Sequence, residues 1–200
     1  MLRRLPVLPT LPVLPTLPVL PTLFVLAAVA TMVALGLWQL DRLDQKQAMM
    51  ARYAAAQASG AAVAFPGTPE TVDAALYHRS TLDCQSVAGF TSISGRNADG
   101  EAGLAHVADC RLGDGRPASV VVGWSRDPAA PAWRGGVVTG WVAPGPRLVA
   151  DPAVAGLQAN ARPDPNDIPN NHLAYAVQWF FFAFVALVIY ALAVRKRIAG

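Results

Sequence analysis

Charge is scarce in this 200-residue sequence, since Asp, Glu, Lys and Arg together make up 14% while hydrophobic residues make up 54%. That balance, with a mean hydropathy of +0.35, is unusual for a water-soluble protein and puts a membrane reading first. Catalytic signatures are missing too. There is no Gly-x-Ser-x-Gly, no Walker loop, no His-Glu-x-x-His and no Cys-x-x-Cys, so hydrolysis and phosphoryl transfer have no support and the chain reads as a non-enzyme. Only three histidines (His78, His106, His172) and two cysteines (Cys84, Cys110) are present. The net charge of +3 is not a basic patch. Arg3, Arg4, Arg195, Lys196 and Arg197 give the ends +5, whereas the stretch from Asp41 to His172 carries eleven Lys or Arg and thirteen Asp or Glu. A nucleic-acid partner is therefore excluded as a reading of charge.

Two uncharged runs are present. Residues 23–40 form eighteen positions, about 27 Å as a helix, close to the thickness of a hydrocarbon core. Residues 173–194 form a second run rich in Phe180, Phe181, Phe182 and Phe184 that stops at Arg195-Lys196-Arg197. Cationic flanks stay on the cytoplasmic side, so residues 1–22 and 195–200 are expected inside and 41–172 outside. The two arginines, the apolar run and Ala28-Val29-Ala30 also imitate a cleavable signal peptide. Helix-compatible sequence continuing through Trp38, Leu43 and Met50 favours a retained helix. Residues 5–22 are three copies of Leu-Pro-Val-Leu-Pro-Thr, in which a proline at every third position predicts polyproline II or no regular structure; the repeat is assigned no function.

After the alanine-rich stretch 48–64, short apolar runs punctuated by Gly, Pro, Asn and Asp predict strands at 77–84, 89–95, 104–112, 118–126 and 136–143. Gly113-Asp114-Gly115-Arg116 reads as a hairpin turn and Asn97-Ala98-Asp99-Gly100 as a looser one, giving an antiparallel meander. Six prolines between 144 and 169 forbid long elements and suggest an extended return to the second span. The expected fold is thus two transmembrane helices flanking a small antiparallel β-rich extracytoplasmic domain.

Cys84 and Cys110 leave three alternatives: a disulfide, two buried thiols, or a metal site with His78 and His106. Strand spacing weighs against the metal. His106 to Cys110 spans about 13 Å and His78 to Cys84 about 20 Å, too far for either pair to chelate one ion. A disulfide would close a loop of about 27 residues and contribute about 3.5 kcal/mol in the chain-entropy treatment.

At the start of the second span, His172, Tyr175 and Trp179 fall at i, i+3 and i+7 on one helical face. A neutral imidazole there suits an axial haem ligand with aromatics beside the macrocycle. An interfacial aromatic belt behind an asparagine cap suits the same residues. At the end of the first span, Gln39, Arg42 and Lys46 share a face, where the two cations could receive haem propionates, contact lipid phosphates or pair with Asp41 and Asp44.

The patterns Gly36-x-Trp38-Gln39-x-x-Arg42-x-x-x-Lys46 and Pro169-Asn170-Asn171-His172-Leu173-x-Tyr175-Ala176-x-x-Trp179-Phe180, in this order on either side of one domain, resemble the two signatures of the Surfeit locus protein 1 family. Gly100–Trp124 and Gly136–Val142 are similar to the family's middle strands. Val122 stands where the family usually has arginine, and the stretch after Val142 is shortened. The resemblance implies an inner-membrane assembly factor that binds haem a transiently and aids its insertion into the catalytic subunit of cytochrome c oxidase. It places the haem iron on His172, with Tyr175, Trp179, Trp38, Gln39, Arg42 and Lys46 around the cofactor. The implied partners are that subunit, the haem a synthesis machinery and membrane lipid. A cofactor-free scaffold for oxidase subunits is the alternative.

Overall fold

The computed structural model describes residues 18–199, in two compact units: residues 18–46 with 170–199, and residues 47–169. Arg3, Arg4 and the first two proline repeats lie outside the described residues.

The first unit is helical. Helix α1 spans Val19–Ser59, its residues to Lys46 belonging to this unit. The third proline repeat is therefore not polyproline II, because its Val19–Thr22 forms the first turn of α1. Pro21 is tolerated there since first-turn N–H groups have no partner in the helix, and the ladder starts with Thr22 N–H donating to the Pro18 carbonyl at 3.0 Å. The last helix of the chain, α3, spans His172–Ala199 and carries Lys196 and Arg197 in its final turn. Both α1 and α3 contain a segment long and apolar enough to cross a membrane. Their contacts run antiparallel, with Gln39 meeting His172 and Thr22 meeting Tyr190. Gly36 is buried between these points, where a Cβ would come 2.6 Å from the Phe180 ring. A small residue at that place lets the neighbouring helix approach.

The second unit is a sheet closed on itself. Its elements are β1 (Ala62–Ala64), α2 (Pro69–Ala75), β2 (Arg79–Arg96), β3 (Ala102–Leu112), β4 (Pro117–Ser125), β5 (Gly136–Ala143) and β6 (Arg147–Ala150). β2 is one strand where the sequence suggests two. Register shifts between Cys84 and Ser86 and between Val87 and Gly89 bend it, so its first part pairs with β5 and the rest with β3. Bulges add a residue and break the alternation of faces, which is why Ser86 and Gly89 read as a gap between strands.

The expected antiparallel meander holds for β2, β3 and β4, joined by the two turns named above. It then fails. β5 skips β4 to pair with β2, and β6 fits between β4 and β5, parallel to β4 and antiparallel to β5. With β1 parallel to β2, the sheet is mixed and not purely antiparallel. The ring β2-β3-β4-β6-β5-β2 has the strand order of the five-stranded OB-type barrel.

Inside the ring, Leu82, Ala108, Val120, Val122, Val142 and Leu148 form the core, and Cys84 is bonded to Cys110 across β2 and β3 with the Cα atoms 5.3 Å apart. Alternate residues face the other way: Ala105, Val107, Val121, Ala143 and Val149 make a second apolar cluster with Ile93. The expected extended return instead holds β6 and a 3-10 turn at Pro165–Asp167, and between them it is irregular yet fastened. Ala98 N–H donates to Ala159 and Ala161 N–H to Arg96, while Trp124 and Gln158 exchange both backbone bonds at 2.8 and 3.1 Å.

Candidate functional site

The helical unit brings together residues from both ends of the sequence. Gln39 lies near the end of the apolar part of α1, and His172 is the first residue of α3. The His172 Nδ1 is 2.7 Å from the Gln39 Oε1. A carboxamide oxygen only accepts, so Nδ1 carries the proton and donates, and it is Nε2 that bears the lone pair whenever the ring is neutral. His172 is half-buried, not sealed in. A histidine that binds a metal is usually held in this way, by a hydrogen bond from its other nitrogen to an oxygen acceptor. The donor set therefore fits an axial ligand to haem iron.

Arg42 follows Gln39 by three residues. Its guanidinium lies 5.7 Å from the centre of the Trp38 ring, and it donates to Gln45 Oε1 at 2.7 Å. Gln45 in turn donates to Asp41 at 2.7 Å, so a carboxamide stands between Arg42 and that carboxylate. Among the described residues, neither Arg42 nor Lys46 forms an ion pair, so of the three alternatives the pairing with Asp41 and Asp44 is not made. Both cations keep charge available for an anionic group.

The aromatic residues are less gathered. Trp38 is 50% exposed and Tyr175 52%, while Trp179 meets Phe182 edge-on at 6.3 Å. None of the three hydrogen-bonds to His172. The asparagine cap takes another form than expected: the Asn171 backbone carbonyl accepts from Tyr175 N–H at 3.2 Å, and the Asn170 Oδ1 is buried with no hydrogen-bond partner. Sequence spacing places Gln39 on the face of Arg42 and Lys46 but gives no sign that it holds His172. That bond depends on two helices lying side by side.

Among the described residues, no group of three His, Cys, Asp or Glu side chains could hold a metal ion, and His78 buries its Nδ1 without a partner. Cys84 and Cys110 are joined to each other, which removes their thiolates from metal chemistry. His106 is fully buried between Ser92 Oγ, 3.1 Å from Nδ1, and Ser125 Oγ, 2.8 Å from Nε2. Ser125 donates its own proton to the Asp127 carbonyl at 2.7 Å, so it accepts from Nε2–H, and Ser92 donates to Nδ1. His106 thus has both nitrogens satisfied as a neutral core residue.

A closed barrel and two apolar helices compatible with a membrane location, one of them presenting an oriented imidazole, set the class of protein. The family model described as the SURF1 family matches residues 26–184, from inside the first apolar run to inside the second. The chain belongs to the SURF1 family, a family of assembly factors linked to cytochrome c oxidase. No curated protein matches the sequence.

Proposed function

We propose that this chain holds haem a in transit and assists its insertion into the catalytic subunit of cytochrome c oxidase. The carrying observation is the His172–Gln39 hydrogen bond, which leaves Nε2 free as a ligand. Arg42 and Lys46 would receive the propionates, and Trp38, Tyr175 and Trp179 would border the macrocycle. Haem supplies the electron-transfer chemistry of the finished oxidase; the chain orients one imidazole toward it. A single axial ligand at a half-open place releases its cargo more readily than a closed two-ligand cage. The basic end of α3 supports an inner-membrane protein with the barrel in the periplasm, and the disulfide suits that oxidising compartment. Haem a would come from the enzymes that make it, so the haem a synthesis machinery is the upstream partner.

The test is the absorption spectrum of the purified chain made together with haem a synthesis. Wild type is expected to show a Soret band that His172→Ala weakens or shifts. Gln39→Leu should lower haem affinity about tenfold or more by freeing the ring to turn. An alanine variant holding haem a unchanged would remove His172 as the ligand. A chain that shows no chromophore, yet co-purifies with oxidase subunits when haem synthesis is blocked, would establish the cofactor-free scaffold instead.

A further inference from the structure

We propose that the barrel unit carries a separate binding site, on the outer face of its sheet, for a small amphiphile with one anionic head, carboxylate or phosphate. The cavity holds about 410 Å³, within the range of small-molecule sites. Its floor is the second apolar cluster, where Ala105 and Ala143 beside Val121 and Val149 leave depth that larger side chains would fill. Its wall is the return segment at residues 160–163, which its backbone bonds to the β2–β3 hairpin keep from collapsing onto the floor.

The rim is cationic. Arg96, Arg147 and Arg162 line it against the single carboxylate of Asp167. Arg96 donates to the Gly100 carbonyl and Arg147 to that of Pro144, and among the described residues neither forms an ion pair. Arg162 is 3.5 Å from Asp151, but Arg79 lies at the same distance from the same oxygen, so one carboxylate serves two guanidiniums. Surplus positive charge over an apolar floor selects a ligand with a negative head and an oily body. A bare anion would leave the floor wet, and a neutral alkane would leave the arginines unanswered.

The site shares no residue with the His172 region, so the two proposals fail separately. The experiment uses the full chain in nanodiscs of zwitterionic lipid, titrated with octanoate, octyl phosphate, octanol or inorganic phosphate and followed by NMR of the ligand. Saturable binding of octanoate, octyl phosphate or both is expected, with octanol and inorganic phosphate each at least about tenfold weaker. The relative affinity of the first two tells which head is preferred. The double variant Arg147→Ala/Arg162→Ala should lose about tenfold or more in affinity for the anions, while Arg147→Lys/Arg162→Lys, which keeps the charge, should retain most of it. Octanol binding as well as octanoate, inorganic phosphate competing as well as octyl phosphate, the double alanine variant binding unchanged, or no saturable binding would each overturn the proposal. A far-ultraviolet spectrum like that of wild type shows that the variants fold.

Discussion

The helical unit and the barrel unit solve opposite problems. In the barrel, several polar groups are turned inward and answered: His106 by two serines, the Trp141 indole by Asp151, Asn97 by Glu101 and Gln158. In the helices, apolar groups are turned outward and left open. Among the described residues, Val137 is the one large exposed hydrophobic that does not sit on α1 or α3; Leu20 is 80% and Phe24 76% exposed. Such surfaces are compatible with a membrane location, because in water each exposed leucine or phenylalanine forgoes about 1.5–3 kcal/mol of burial.

Cross-links and close approaches sharpen that contrast. Replacing Cys84 and Cys110 together by alanine should cost about 3.5 kcal/mol, read as a lower unfolding midpoint of the barrel in denaturant, with the helical signal in lipid almost unchanged. If the midpoint stayed put, the disulfide would not be what restrains β2 and β3.

Two glycines give a matched pair with a smaller effect. A Cβ on Gly140 would lie 2.0 Å from the Val149 carbonyl oxygen, where β5 crosses between β2 and β6 and the backbone has no room to give. Gly140→Ala should cost about 1–3 kcal/mol in the same measurement. Gly36→Ala meets a phenylalanine ring that can turn, so it should cost less, read as weaker association of the two helices in lipid. An equal penalty at both would mean that the helix pair is as tightly built as the barrel.

The smallest effect belongs to the turn between β3 and β4. The Arg116 backbone N–H and guanidinium hydrogen-bond to Asp114 and hold its carboxyl below the usual range. A depressed folded value stabilises above the unfolded value, about 3.9, and that gain is lost as pH falls through the folded one. The group is exposed, so Asp114→Asn should lower barrel stability only slightly at neutral pH, and the difference from wild type should vanish as pH falls through the folded value.

Much of this was legible in the residues. Both apolar runs lie in long helices, and β5 begins and ends where glycine and proline mark it. β3 and β4 agree with their expected spans to within two residues at each end. β6 was hidden because Pro144, Pro146 and Pro152 bracket a strand of four residues, and β1 and α2 are similarly short. Parallel pairing was invisible for another reason: it joins β1 to β2 across α2 and β4 to β6 across β5, and no local pattern records it. At the helical site the residue types were readable, since spacing alone placed Gln39 with Arg42 and Lys46. The hydrogen bond from His172 was not, because it spans 133 positions.

The double engagement of β2 sets an order of events for a growing polypeptide. Residues 79–84 have their partner in β5, which follows β3 and β4. β1 can pair with residues 79–81 at once, but until β5 is made the other edge of 79–84 has no partner. Synthesis halted before Gly136 would leave that edge open and the ring unclosed.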